Sequence, residues 1–215
     1  IDMSDGNDHV RIYPCRGLKM VGIRFYPYAG DNQEDERRTR CIQKSLYGRE
    51  EWFYFNKGFN IEEMNGTVGE VMVDYDAFDS DFMLYGKEGR VQLSLSAIVG
   101  QNGTGKSTIV DSIVRLVNNL AAAVFGEGYN YSKALHLHFI DCVYASLAVY
   151  VDTQIKILTC KGRCLSVTTL EMDAKAQVEG ENGFSLHKER YVKKQEPTIV
   201  LDGSTSTEMV LQPQL

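Results

Sequence analysis

The chain has 215 residues, a formal net charge of −6 and a mean hydropathy of −0.26. That length buries a core without disulfide or metal staples, and the acidic balance removes any global electrostatic reason to expect nucleic-acid binding. No apolar run reaches the length of a membrane span, and Arg24 and Tyr26 interrupt the one nearest the N-terminus, so neither a membrane helix nor a signal peptide is read here.

Five cysteines (Cys15, Cys41, Cys142, Cys160 and Cys164) form no disulfide framework by count or spacing; reduced thiols in a cytoplasmic protein are the expectation. The chain begins at Ile1 and ends in "STSTEMVLQPQL", which reads as a fragment cut at one or both ends.

In chain order, "GLKMVGIRFYPYAG" (17–30) predicts a strand ended by Pro27 and Gly30. "DNQEDERRTR" (31–40) reads as a surface loop or helix start. The aromatic-rich "EWFYFNKGFNIEE" (51–63) reads as an edge strand or hairpin, and "GEVMVDYDAF" (69–78) as a further strand. From 60 to 82 stand Glu62, Glu63, Glu70, Asp74, Asp76, Asp79 and Asp81 with no Lys or Arg, which reads as a solvated acidic surface. "GRVQLSLSAIVG" (89–100) alternates and then runs on apolar, as a strand entering a central sheet does.

Lys106 to Phe125 predicts a helix, with Ile109, Ile113, Leu116, Val117, Leu120 and Val124 on one face. Asp111 and Arg115 make a helical ion pair worth roughly a few tenths of a kcal/mol. Several antiparallel strands are expected over 133–170, with Gly162 at a turn. Residues 173–215 read as a polar tail.

Between the 89–100 strand and the helix lies Gly100-Gln101-Asn102-Gly103-Thr104-Gly105-Lys106-Ser107, which fits G-x-x-x-x-G-K-[ST] at every fixed position. Glycines let backbone N–H groups close around phosphate oxygens. The helix N-terminus adds its positive dipole end. Lys106 is placed to reach the β- and γ-phosphates, Ser107 to ligate Mg²⁺, and Thr108 to bond the α-phosphate. Nucleotide binding, as ATP with Mg²⁺, is therefore expected at residues 100–108.

"AIVGQNGTGKSTIVDSI" resembles the P-loop of ABC-type ATPases of the SMC, Rad50 and RecF group, which includes many proteins labelled AAA family ATPase. Asn102 and the acidic Asp111 four positions after Ser107 carry the resemblance; ABC transporter ATPases more often have Ser in place of Asn102. The strand-rich region after the helix is similar to that superfamily's antiparallel β-subdomain. The resemblance implies an α/β fold: a P-loop NTPase mixed sheet with an antiparallel β-subdomain, here an incomplete N-terminal lobe. It implies that residues 31–88 are an inserted or elaborated segment. It implies ATP hydrolysis by a longer protein, with Lys106 as a catalytic side chain. It also implies a homodimer closing on sandwiched nucleotides and a DNA or effector-protein partner, in DNA metabolism or anti-phage defence.

The sequence departs from that pattern in lacking an apolar run ending in Asp-Glu, a Leu-Ser-x-Gly segment and a later switch His. "TIVLDGST" (198–205) has Gly203 where the Glu would stand, and "LHLHFID" ends in Asp141 followed by Cys142; ordinary strands explain both. The alternative class is a nucleotide-dependent interaction module that binds ATP without turnover. His136 and His138 alternate on one strand face and read as exposed edge residues rather than metal ligands. Phe25 and Tyr26 are candidates to stack on adenine, with core packing the other reading.

Overall fold

In chain order the protein comprises β1 (Lys19–Phe25), α1 (Gln33–Gln43) running into a 3-10 turn (Lys44–Leu46), β2 (Trp52–Tyr54), β3 (Phe59–Met64), β4 (Thr67–Asp74), β5 (Phe82–Tyr85) and β6 (Val91–Ser94). Then follow α2 (Lys106–Phe125), β7 (Asn130–Ser132), β8 (Leu135–His136), β9 (Tyr144–Val151), β10 (Gln154–Lys161), β11 (Cys164–Met172), β12 (Lys188–Lys193) and β13 (Ile199–Asp202). This is a computed structural model that describes residues 18–64, 66–74, 82–85, 91–94, 98–99, 101–125, 130–132, 135–136, 138–151, 154–173, 188–193 and 199–202.

Nine strands form one sheet in the order β2-β1-β9-β10-β11-β12-β4-β3, with β13 also on β11, and every pairing is antiparallel. The two ends of that path meet. Trp52 on β2 donates its indole N–H to Glu63 on β3 at 3.0 Å, the Ile61 N–H on β3 reaches the Tyr54 hydroxyl at 3.0 Å, and Arg24 on β1 forms an ion pair with Glu63. Side chains thus close a seam that lacks a backbone ladder, and the sheet is a nearly closed barrel.

Strand alternation divides the core in two. Inside the barrel, Val71, Val73, Tyr150, Ile155, Leu170 and Tyr191 form one buried cluster, with the Tyr150 and Tyr191 rings edge to face at 6.0 Å. Outside it, Leu147, Leu158, Cys160 and Leu165 pack with Leu46, Ile109 and Leu116 from the helical layer. Within β1 the register against β9 shifts between Met20 and Gly22. This bulge at Val21 lets Val21 join the inner cluster while Ile23 and Phe25 join the outer one.

The expected P-loop mixed sheet is not what forms. The long apolar strands here are linked by hairpins, as at Gly162 between β10 and β11, and hairpin-linked neighbours pair antiparallel. Only two α-helices occur among the described residues, both set against the outside of the barrel. The stretch read as a strand entering a central sheet gives β6, which pairs with β5 in a separate two-stranded ribbon. The helix reading of 106–125 holds at both ends, and the Asp111–Arg115 pair forms at 2.8 Å. Residues 31–40 give most of α1, capped by the Asn32 side chain accepting from the Glu34 N–H at 2.9 Å. The reading of 173–215 as a polar tail meets β12 and β13, which extend the sheet beside β11. The acidic segment is not wholly a solvated face: Glu63 pairs with Arg24, and Glu70 with Arg190 at 2.7 Å. Asp76, Asp79 and Asp81 lie outside the described residues, as does Cys15.

The seam gives a test. Arg24 and Glu63 are 14% and 16% exposed, whereas the Arg163–Asp141 pair is 54% and 36% exposed. Removing Glu63 leaves the shielded Arg24 guanidinium on the longer contact to the exposed Glu50 at 3.5 Å and on the Tyr26 ring. Glu63→Ala is expected to lower stability by about 1.5–3 kcal/mol, and Asp141→Ala by roughly 0–1 kcal/mol, read from urea unfolding midpoints. Equal losses would contradict the closed seam.

Candidate nucleotide-binding loop

The glycine-rich loop sits where α2 begins. Its backbone turns through Gly103 at φ 82° and Gly105 at φ 99°, both in the left-handed region that side chains resist. The two glycines serve different ends. A Cβ on Gly103 would meet nothing within 4 Å. A Cβ on Gly105 would lie 2.7 Å from Cγ of Leu46, which is 1% exposed and held in the outer core. The 3-10 turn after α1 therefore buttresses the loop from behind, and only glycine permits that approach.

Thr104 donates its backbone N–H and its hydroxyl to the Gln101 carbonyl, at 3.4 and 2.8 Å. Lys106 donates from Nζ to the same oxygen at 2.9 Å. The ammonium is thus folded over the loop it belongs to, engaged with an oxygen acceptor at the loop's rim. A helix leaves the N–H groups of its first turn without intrahelical acceptors. In α2 the Ile109 N–H bonds back to Gly105 at 3.0 Å, so Lys106, Ser107 and Thr108 form that first turn.

Gln101, Asn102, Gly103, Thr104 and Ser107 are exposed, Gly105 and Lys106 are half-buried, and Thr108 is buried beside Ile109 on the face against the barrel. Gly100 lies outside the described residues. The residues fit a triphosphate and a divalent cation in chemistry: a loop with two left-handed glycines, an ammonium already bonded to oxygen, and an exposed hydroxyl one residue further on.

The rest of α2 fixes the loop to the barrel. Ile109, Ser112, Leu116, Asn119 and Ala122 are buried. Asn119 clasps one backbone unit from both sides, donating to the Ile140 carbonyl at 3.0 Å and accepting the Ile140 N–H at 2.8 Å. Asn118 donates to the His138 carbonyl at 2.8 Å. This polar anchorage was not read from the sequence. Val117 and Val124, counted on the apolar face, are exposed, and with Val110 and Val114 they mark the opposite side of the helix.

Neither aromatic candidate for adenine faces the loop. Phe25 is fully buried in the outer core, and Tyr26 bonds through its hydroxyl to Ser146 at 3.0 Å inside the barrel. Asp202 lies on β13 opposite Cys164, and Asp141 pairs with Arg163 at 3.7 Å. Among the described residues no three His, Cys, Asp or Glu groups gather as a metal site, and His138 is exposed. No described helix is long and apolar enough to cross a membrane.

No family model matches the chain, and no solved structure matches it. Over 103 residues it is 32% identical to the Chromosome partition protein Smc of Halothermothrix orenii. That stretch covers 43% of this chain and 8% of the Smc protein, so the chain spans a small part of the relative it resembles.

The two glycines predict unequal costs. Gly105→Ala combines left-handed strain with a clash against a buried leucine and is expected to cost about 2–4 kcal/mol of stability. Gly103→Ala meets open space and costs only the strain, about 1–2 kcal/mol. Thermal and urea unfolding of the two variants check this; equal costs would mean that Leu46 does not support the loop.

Proposed function

We propose that the chain binds ATP with Mg²⁺ at residues 100–108, as part of an SMC-like ATPase that acts on DNA. The observation that carries this is the backbone of 101–106: two left-handed glycines followed at once by a helix whose first residue, Lys106, already donates to an oxygen at 2.9 Å. Exchanging the Gln101 carbonyl for a phosphate oxygen keeps that ammonium satisfied, so binding carries little reorganisation cost. The partial likeness to an Smc protein supports the ATPase reading and the DNA context.

In this reading Lys106 holds and neutralises the β- and γ-phosphates, and the Ser107 hydroxyl ligates the cation. A cation held there would supply neutralising charge for phosphoryl transfer. Orienting the attacking water is the task of a carboxylate, and the sequence has no apolar run ending in Asp-Glu to supply it. Asp111, the acid closest in sequence to the loop on α2, is engaged with Arg115 at 2.8 Å. Turnover is assigned to a longer assembly in which two copies close on sandwiched nucleotides.

Titration calorimetry with Mg-ATP tests the reading. Lys106→Ala is expected to weaken binding by about 1.5–3 kcal/mol, the worth of a charge-assisted contact, which is roughly ten- to a hundredfold in Kd. Turnover by the chain alone is expected to be weak or absent. Identical affinities for the two proteins would overturn the assignment of the loop.

A further inference from the structure

Among the described residues two non-glycine positions have positive φ, Lys44 at 49° and Cys142 at 62°, and each meets an end of α1. Cys142 is buried, and its thiol donates to the carboxylate of Asp35, in the first turn of α1, at 3.6 Å. Lys44 closes the other end, donating its N–H to the Arg40 carbonyl. With ψ at −122°, Lys44 lies outside every region that a side chain occupies readily. Its angles are those of the first central residue of a type II′ turn, a place for glycine.

A second local cost lies beside it. Gln43 is 1% exposed, and its amide nitrogen donates to the carbonyls of Tyr26 and Tyr144, yet its Oε1 has no hydrogen-bond partner. Strained backbone and an orphaned buried acceptor thus stand at neighbouring residues. Capping α1 explains neither, since glycine ends a helix without strain. Such costs gather where a structure holds a functional element in tension.

The joint stands directly behind the glycine-rich loop. Two residues on, Leu46 is buried in the outer core and lies against Gly105. The Tyr47 N–H returns to the Lys44 carbonyl at 3.3 Å, which ties residues 44–46 into one turn. Gly105 is the neighbour of Lys106, whose ammonium is folded onto the Gln101 carbonyl at 2.9 Å.

We propose that Lys44 is a positioning residue for the nucleotide loop, its backbone strain held in the empty chain and released when a triphosphate fills the loop. This rests on the nucleotide-binding reading above. A phosphate that draws Lys106 from the Gln101 carbonyl shifts Gly105, and Leu46 carries the shift to the turn. A ligand moves a conformational equilibrium only by its unequal free energy with the two states. Strain relief at Lys44 is such a difference, and it adds to nucleotide affinity. The coupling runs through backbone geometry rather than through the Lys44 ammonium, which is exposed.

The test compares Lys44→Gly with Lys44→Gln. Both remove the charge, but only glycine relieves the strain. Lys44→Gly is expected to unfold at higher urea and to bind Mg-ATP roughly fivefold more weakly than Lys44→Gln by titration calorimetry, a difference of about 1 kcal/mol. A purely structural role moves the unfolding midpoint and leaves the two affinities equal. Amide exchange gives a second readout: Mg-ATP is expected to slow the amides of 44–46 in the wild-type chain and in Lys44→Gln. In Lys44→Gly that response is lost while 101–109 still responds.

Equal affinities of the two variants, or an exchange response at 44–46 that is absent from the wild-type chain or survives in Lys44→Gly, would overturn the proposal. If Lys106→Ala weakens binding while the Lys44 variants bind equally, the loop assignment stands and the joint falls. A wild-type chain that binds no Mg-ATP removes both.

Discussion

The approach of Gly105 to Leu46 is the contact on which the shape of the glycine-rich loop depends. At φ 99°, with a buried leucine 2.7 Å from where a Cβ would stand, the position accepts glycine alone without displacing its neighbours. Leu46 is placed by α1, and α1 in turn is tied to the sheet through Gln43. That side chain is 1% exposed and donates to the carbonyls of Tyr26 and Tyr144 at 3.0 and 2.7 Å. The loop's shape is therefore set by contacts from α1 and β9 as well as by its own sequence. Because α2 starts at Lys106, one residue later, the same contact fixes where the helix N-terminus points.

A curved antiparallel sheet lets one strand serve two chemistries. The outward residues of β9 and β10 bury Ile109 and Leu116 of α2, which is what holds the loop. The inward residues of the same strands build an apolar cluster that gives way to hydroxyls and lysines towards one end. The bulge at Val21 allows β1 to contribute to both sides. Closure across the β2–β3 gap relies on Arg24, Glu63 and Trp52 rather than on a backbone ladder, so a few side chains carry what hydrogen-bonded strands carry elsewhere in the sheet.

Local patterns in the sequence were legible wherever the physics is local. The 3.6-residue periodicity from 106 to 125, the Asp111–Arg115 spacing and the turn at Gly162 appear in the structure, and of the antiparallel strands expected over 133–170 the long ones start at Tyr144. The order of strands in the sheet was not legible, because nothing in "VQLSLSAIVG" says whether its partner is parallel and central or a short antiparallel ribbon. The resemblance over the loop carried a fold expectation beyond the residues that supported it, and the sheet corrected it. Glu63 and Glu70 looked like members of a solvated run, since their partners Arg24 and Arg190 are distant in sequence. Asn119 was hidden for the same reason: an asparagine inside a helix is unremarkable until the backbone at Ile140 is brought against it. Within the loop, residue types and spacing were readable from the first; the support from Leu46 was not, as it comes from an element more than fifty positions earlier.

The central claim is that the loop beside Leu46, and not the barrel interior, receives the nucleotide. Amide hydrogen exchange with and without Mg-ATP tests it most directly, because each backbone N–H of 101–109 reports separately from those of β10 and β11. The account predicts slowed exchange confined to 101–109 and the flanking 3-10 turn at 44–46, lost in Lys106→Ala. Unchanged exchange in the loop, or protection centred on β10 and β11, would contradict it.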